Sequence, residues 1–210
     1  MDFSSVEQRS EEWHEARLGK VTASRVADMM AKTKTGPSAS RKNYRAELVL
    51  ERLTGQRQGG HNSAAMQWGT DVEPQARAAY EFLTDREVVE TGLVVHPRIA
   101  DLGASPDGLI GDDGLLEIKC PIPATHLEII ETGTIPDKYI TQMQTQMACT
   151  GRAWVDFVSF DPRFPAEHQI WMRRVERDDA LIAEIEREAV AFLAEVEAVV
   201  AKLTQQKEAA

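Results

Sequence analysis

Two short runs hold the residues best suited to chemistry: Ser105-Pro106-Asp107-Gly108-Leu109 and, further on, Glu117-Ile118-Lys119. In an extended strand, side chains two apart share a face, so Glu117 and Lys119 project into one space. The hairpin signal Asp112-Asp113-Gly114 between the runs brings Asp107 beside them. Two carboxylates on a rigid sheet make a hard-oxygen site suited to Mg²⁺. Such an ion orients a water, lowers its pKa and neutralises charge on a phosphate. A neighbouring lysine stabilises a pentavalent phosphorus centre or helps activate the water. The inert alternative makes Glu117 and Lys119 a solvent-facing pair on a strand edge and Pro106-Asp107-Gly108 only a turn.

The chain between and around these runs must supply the scaffold. A short helix is expected from Ser24, an N-cap before Val26, Met29 and Met30. Further helices are expected at 44–53, stopping before Gly55, and at 71–82, with Pro74 in the first turn. Residues 32–40 read as a flexible basic loop. Strand patterns cover 87–96, 102–104 with Leu109 and Ile110, 115–119, 153–160 and 169–175. Helices are expected at 137–149 and 178–203, the latter with Ile182, Ile185, Ala189, Phe192, Val196, Val199 and Leu203 on one stripe. The order implies one α/β domain over residues 1–210, a central mixed β-sheet flanked by helices.

Bulk properties narrow the function further. Apolar residues make up 42% and charged residues 28%, ordinary for a soluble globular protein. No run approaches the roughly 20 apolar residues of a membrane span, and Met1-Asp2-Phe3-Ser4-Ser5 lacks signal-peptide character. Cys120 and Cys149 form no disulfide framework and cannot supply the thiolates of an iron–sulfur cluster, so a reducing cytoplasm is expected. The net charge of −10 argues against a nonspecific nucleic-acid coat. Residues 1–60 carry net +3 whereas 176–210 carry net −5, so a polyanion meets the N-terminal third most easily. His14, His61, His96, His126 and His168 are scattered outside any nucleophile motif, against a Ser/His or Cys/His hydrolase.

Pro106-Asp107 followed by Glu117-Ile118-Lys119 resembles the nuclease superfamily with the restriction-endonuclease-like fold. A longer ordered series is similar to the phage lambda exonuclease family, the YqaJ-like viral recombinases: Trp13-His14, Arg17-Leu18-Gly19, Thr22-Ala23-Ser24, Trp68-Gly69, Glu73, Ala76-Arg77, Ser105 to Leu109, Lys119-Cys120-Pro121, Gln142, Gln144 and Asp161-Pro162-Arg163. These matches run from about residue 12 to 180; beyond them only the amphipathic pattern remains.

The resemblance implies a Mg²⁺-dependent exonuclease, with Mn²⁺ able to substitute and two ions per site. It would degrade the 5′-ended strand of linear double-stranded DNA to mononucleotides. The 3′ overhang left behind would pass to a single-strand-annealing recombinase, and the enzyme would be a homotrimer ring. On this resemblance Asp107, Glu117 and the Ile118 carbonyl hold metal, Lys119 is the catalytic lysine, Glu73 is a further acid near the second ion, and Gln142 helps hold the attacking water. Arg17, Ser24 and Ser105 hold the 5′-terminal phosphate. Met66 wedges at the duplex end and Lys34 grips the duplex. Each has a plainer role available: Glu73 a solvated acid, Gln142 a solvent-facing amide, Ser24 an N-cap, Arg17 a partner of Glu12 or a neighbouring acid, Met66 packing, Lys34 a solvated loop cation. The rival functions are an endonuclease of the same fold and a noncatalytic DNA-end-binding protein.

Overall fold

The computed structural model describes residues 3–58 and 63–208; His61 and the first two residues lie outside them. The elements run α1 (Glu11–Arg17), β1 (Val21–Thr22), a 3₁₀ turn (Ala23–Arg25), α2 (Val26–Met30), β2 (Lys32–Thr33), β3 (Gly36–Pro37), α3 (Ala39–Thr54), α4 (Ala64–Thr84), β4 (Val94–Val95), β5 (Leu102–Ala104), β6 (Gly108–Ile110), β7 (Gly114–Lys119), α5 (Pro123–Thr132), α6 (Asp137–Thr150), β8 (Trp154–Phe160), a 3₁₀ turn (Ala166–His168), β9 (Ile170–Glu176) and α7 (Asp179–Glu208).

The central sheet has the order β6-β7-β8-β9. It is mixed: β7 is parallel to β8, and the outer pairs are antiparallel. The parallel step is bridged by α5 and α6. Alternation along β7 sends Leu115 to one face, where it packs with Met143 and Met147 of α6 and Phe157 of β8. Leu116 and Ile118 pack on the other face with Val72, Ala76 and Tyr80 of α4. A second sheet, β1-β5-β4, packs with α2, α3 and α7 around Met29, Tyr44, Leu48 and Phe192. Among the described residues no helix is long and apolar enough to cross a membrane.

Several expectations shift on physical grounds. The stretch read as a basic loop holds the β2–β3 ribbon, and Ser38 then caps α3 by accepting from the Arg41 N–H at 3.1 Å. Helix α4 starts at Ala64 rather than 71, so Pro74 lies inside it. A proline there forgoes one backbone hydrogen bond, and the buried spacing of Val72, Ala76 and Tyr80 against the sheet outweighs that loss. Of residues 87–96 only Val94–Val95 form a ladder, with Val89 bridging Leu109 of β6, because the N-terminal segment claims Gly92 and Leu93. Their N–H groups donate to the Ser4 and Phe3 carbonyls at 2.6 and 3.1 Å. Ser24 does not cap α2; it sits inside the 3₁₀ turn, and Arg25 occupies the cap position.

One buried titratable group ties α7 to the second sheet. His96 is 3% exposed. Its Nδ1 accepts from the Arg98 and Ile99 N–H groups, so the ring is neutral and donates from Nε2 to Glu186 at 3.0 Å. Burial lowers its pKa, opposed by Glu186 and reinforced by Arg98 and Arg177. The unfolded chain therefore binds the proton first, and the stability His96 contributes above about pH 6.5 is lost as pH falls toward the folded value. Thermal melts from pH 7.5 to 5.5 are expected to show a drop in Tm that His96→Asn flattens. An identical pH dependence in the variant would reject this assignment.

Candidate active site

Asp107 enters β6 with both its backbone and side chain fixed on β7. Its N–H donates to the Leu116 carbonyl at 3.1 Å, and its Oδ2 accepts from the Ile118 N–H at 2.7 Å. The next residue must be glycine: a Cβ on Gly108 would meet Val88 Cγ1 at 2.1 Å. The β6–β7 ladder ends at Gly108↔Leu116. Ile118 therefore turns its N–H and carbonyl to an edge with no strand opposite, and the N–H goes to Asp107.

Glu117 and Lys119 point to the same side of β7, as their spacing requires, and form an ion pair through Oε1 and Nζ. Glu117 is 1% exposed, so its charge must be satisfied internally. Two amides on adjacent turns of α6 do this: Gln142 Nε2 donates to Oε1 at 2.7 Å and Gln146 Nε2 to Oε2 at 2.5 Å. These two glutamines are thus a buried polar face and not a solvated one. Gln144 is buried too, joining the Glu176 carbonyl and the Asp178 N–H. Gln146 was not singled out from sequence, although its four-residue spacing from Gln142 puts both on one helix face. Among the described residues its Oε1 has no hydrogen-bond partner, so the carboxylate dictates which way the amide faces.

The electrostatics follow from crowding. Burial, then Glu117 and Glu73, pushes the Asp107 carboxyl well above its usual range, while Lys119 pulls it down. Burial works against the Lys119 ammonium, but Glu117 and Asp107 outweigh it and raise its pKa. Burial also pushes the Cys120 thiol up to about 12, so it is no thiolate nucleophile. Glu73 on α4 is held by two guanidiniums, Arg77 on Oε1 at 2.9 Å and Arg9 on Oε2.

Arg17 sits at the end of α1 with its guanidinium 4.0 Å from the centre of the Trp13 ring. Its Nη1 donates to Ser105 Oγ at 3.4 Å, and the Trp13 Nε1–H donates to the same oxygen at 3.0 Å. Among the described residues no carboxylate forms an ion pair with Arg17, Glu12 included. Burial lowers its pKa to about 10, with Tyr44 opposing. Ser24 Oγ lies 3.5 Å from Thr22 Oγ1.

An open cleft of about 1300 Å³ joins these groups; Arg17, Ser24, Met66, Glu73, Asp107 and Lys119 all line it. Glu117 and Gln142 lie behind its wall. Met66, 56% exposed, stands on its rim. Lys34 does not reach it, standing exposed at the turn of the β2–β3 ribbon.

The residues present fit a divalent metal of the Mg²⁺ type. Among the described residues no three His, Cys, Asp or Glu side chains form a ready-made metal cluster. Asp107 and Glu117 with one main-chain carbonyl suit an ion that keeps several waters. The like charges crowded onto Asp107 are what such a cation would relieve.

Residues 12–153 match the family model of the YqaJ-like viral recombinase domain. The fold superposes on the crystal structure of LHK-Exo, an alkaline exonuclease from Laribacter hongkongensis, with a TM-score of 0.90 and 58% identity over 95% of this chain and 98% of that one. The same figures hold for the crystal structure of LHK-Exo in complex with dAMP. A phage-related exonuclease from Haemophilus somnus 129PT, 16% identical over 88% of this chain and 96% of that one, shares the fold with a TM-score of 0.69. Curated proteins give no match. The chain belongs to the YqaJ-like viral recombinase family, within the lambda exonuclease group. It is a nuclease with a restriction-endonuclease-like core, related to exonucleases.

Proposed function

We propose that the protein is a Mg²⁺-dependent 5′→3′ exonuclease, a single nuclease domain that removes mononucleotides from the 5′-ended strand of linear double-stranded DNA. The observation that carries this reading is one cleft lined by Asp107 and Lys119 and also by a half-buried Arg17 that, among the described residues, has no carboxylate partner. A guanidinium without a carboxylate partner suits a phosphate, which it binds in a forked geometry. With the 5′-terminal phosphate on Arg17 and Ser105, the first phosphodiester lies toward Asp107 and Lys119. The complex of LHK-Exo with dAMP supports a site that accepts a deoxynucleoside monophosphate.

Asp107, Glu117 and the Ile118 carbonyl would hold the metal, with Glu73 a further acid beside Asp107. When bound, the ion supplies Lewis-acid charge neutralisation at the phosphate and a lowered pKa for a water. Lys119, kept protonated by its two carboxylate neighbours, stabilises charge developing on phosphate oxygens. Gln142 and Gln146 hold the Glu117 carboxylate in one orientation, which saves reorganisation during reaction. Gln142 also helps position the attacking water. A homotrimer ring around the duplex and a single-strand-annealing recombinase that takes the 3′ overhang extend the same reading.

Duplex DNA labelled at either 5′ or 3′ ends, incubated with and without Mg²⁺, tests the reaction. Loss of the 5′ label as mononucleotide, only with Mg²⁺ and only from linear DNA, is expected. Cleavage of closed circular DNA would instead indicate an endonuclease, and retention of every label a binding protein.

Gln146→Leu probes the support behind Glu117. Groups behind metal ligands typically matter by about 10- to 100-fold. The variant is expected to lose that much activity, to need more Mg²⁺ and, without metal, to melt below the native protein, since the buried Glu117 Oε2 loses its donor. A Mg²⁺ requirement equal to the native one would show that Gln146 does not orient the carboxylate.

A further inference from the structure

Arg9 has no part in the function as described, yet its backbone is unusual. It adopts φ +72°, one of two non-glycine residues with positive φ among the described residues. The other, Asp85, is the left-handed cap of α4, a place where aspartate is tolerated. Arginine has no such tolerance, so the turn keeps a strained residue where glycine fits without cost. That turn leads into Ser10, which caps α1 by accepting from the Trp13 N–H at 3.2 Å. Arg9, Trp13 and Arg17 follow at four-residue intervals and all line the cleft.

The ion pair with Glu73 does not explain the arginine. Glu73 already has Arg77 on its other oxygen, one helical turn away at 2.9 Å. The Arg9 side chain is 46% exposed, so its own pair is screened by solvent. Releasing Arg9 would leave Glu73 partnered and free a guanidinium facing the cleft near Asp107.

Resting on the proposed nuclease reading, we infer that Arg9 is a further DNA phosphate-binding residue, which exchanges Glu73 for a backbone phosphate when the duplex enters. The phosphate is recognised by charge and forked hydrogen bonding, so the contact is independent of base sequence. Each phosphate neutralised contributes about 0.9 to the slope of log K against log salt on duplex DNA.

The test is equilibrium binding of a 5′-phosphorylated linear duplex, followed by fluorescence anisotropy over a KCl series, with Ca²⁺ in place of Mg²⁺ to hold the substrate intact. Arg9→Gly is expected to weaken binding several-fold and to lower the salt slope by about 1. Its Tm should equal or exceed the native one, because glycine relieves the turn. Arg9→Lys, which keeps a cation, should retain the slope. An unchanged slope in Arg9→Gly, with or without a loss of affinity, would overturn the inference and leave Arg9 as an orienting partner of Glu73. Native protein that does not bind the duplex would overturn the underlying reading and this one with it; native binding with an unchanged variant slope overturns this one alone.

Discussion

Lys119→Ala is expected to reduce single-turnover hydrolysis of linear duplex DNA by on the order of 10³-fold or more. Removing one preorganised donor to a developing oxyanion typically costs about 10²- to 10³-fold, and Lys119 is also the cation between Glu117 and Asp107. Glu117 keeps its two amide donors in the variant. The metal-free protein should nonetheless be less stable, because the crowded carboxylates lose their counter-charge, and Mg²⁺ should restore part of the loss. Lys119→Gln separates the two effects: its amide can still donate to Glu117, so it should melt closer to the native protein yet remain inactive. If either variant hydrolysed DNA within tenfold of the native rate, Lys119 would have no catalytic role.

Arg17→Ala is expected to lower kcat/KM on 5′-phosphorylated ends by about 10- to 100-fold and to leave 5′-hydroxyl ends nearly unchanged. The range follows from hydrogen bonds to a charged group, worth about 1.5–3 kcal/mol, where about 1.4 kcal/mol is a factor of ten. The native guanidinium is already partly desolvated and, among the described residues, lacks an ion-pair partner, so little of its binding energy is spent on releasing an internal anion. Arg17→Lys should not rescue the preference, since an ammonium lacks both the fork and the stacking on Trp13. Equal losses on the two kinds of end would contradict the assignment.

How much of this was legible in the sequence depended on how local each signal is. The β6–β7 hairpin was readable because turn chemistry and two-residue alternation are local, and they alone bring Asp107 to Glu117 and Lys119. The α7 stripe and the strands β8 and β9 were readable for the same reason. The start of α4 was not, because Pro74 looks like a first-turn residue until the packing of Val72, Ala76 and Tyr80 is known. Strand pairing over 87–96 is only partial, at Val94–Val95 and a bridge of Val89 to Leu109, because residues 3 and 4, far away in the chain, take the hydrogen bonds of Gly92 and Leu93. The buried polar groups of α6 were hidden by its composition: Gln142 and Gln146 look solvent-facing until the buried Glu117 carboxylate is set against them, and Gln144 until the Glu176 carbonyl and Asp178 N–H are. Arg9 carried no signal at all, since left-handed backbone geometry does not show in a residue name.

The central claim is that Asp107, Glu117 and Ile118 together hold a divalent cation beside Lys119. Crystals soaked in Mn²⁺ and measured at the manganese absorption edge test it most directly. The account predicts an anomalous peak bounded by the Asp107 and Glu117 carboxylates and the Ile118 carbonyl, with the Lys119 ammonium displaced from Glu117. Manganese bound elsewhere on the chain, with Lys119 still seated on Glu117, would contradict it.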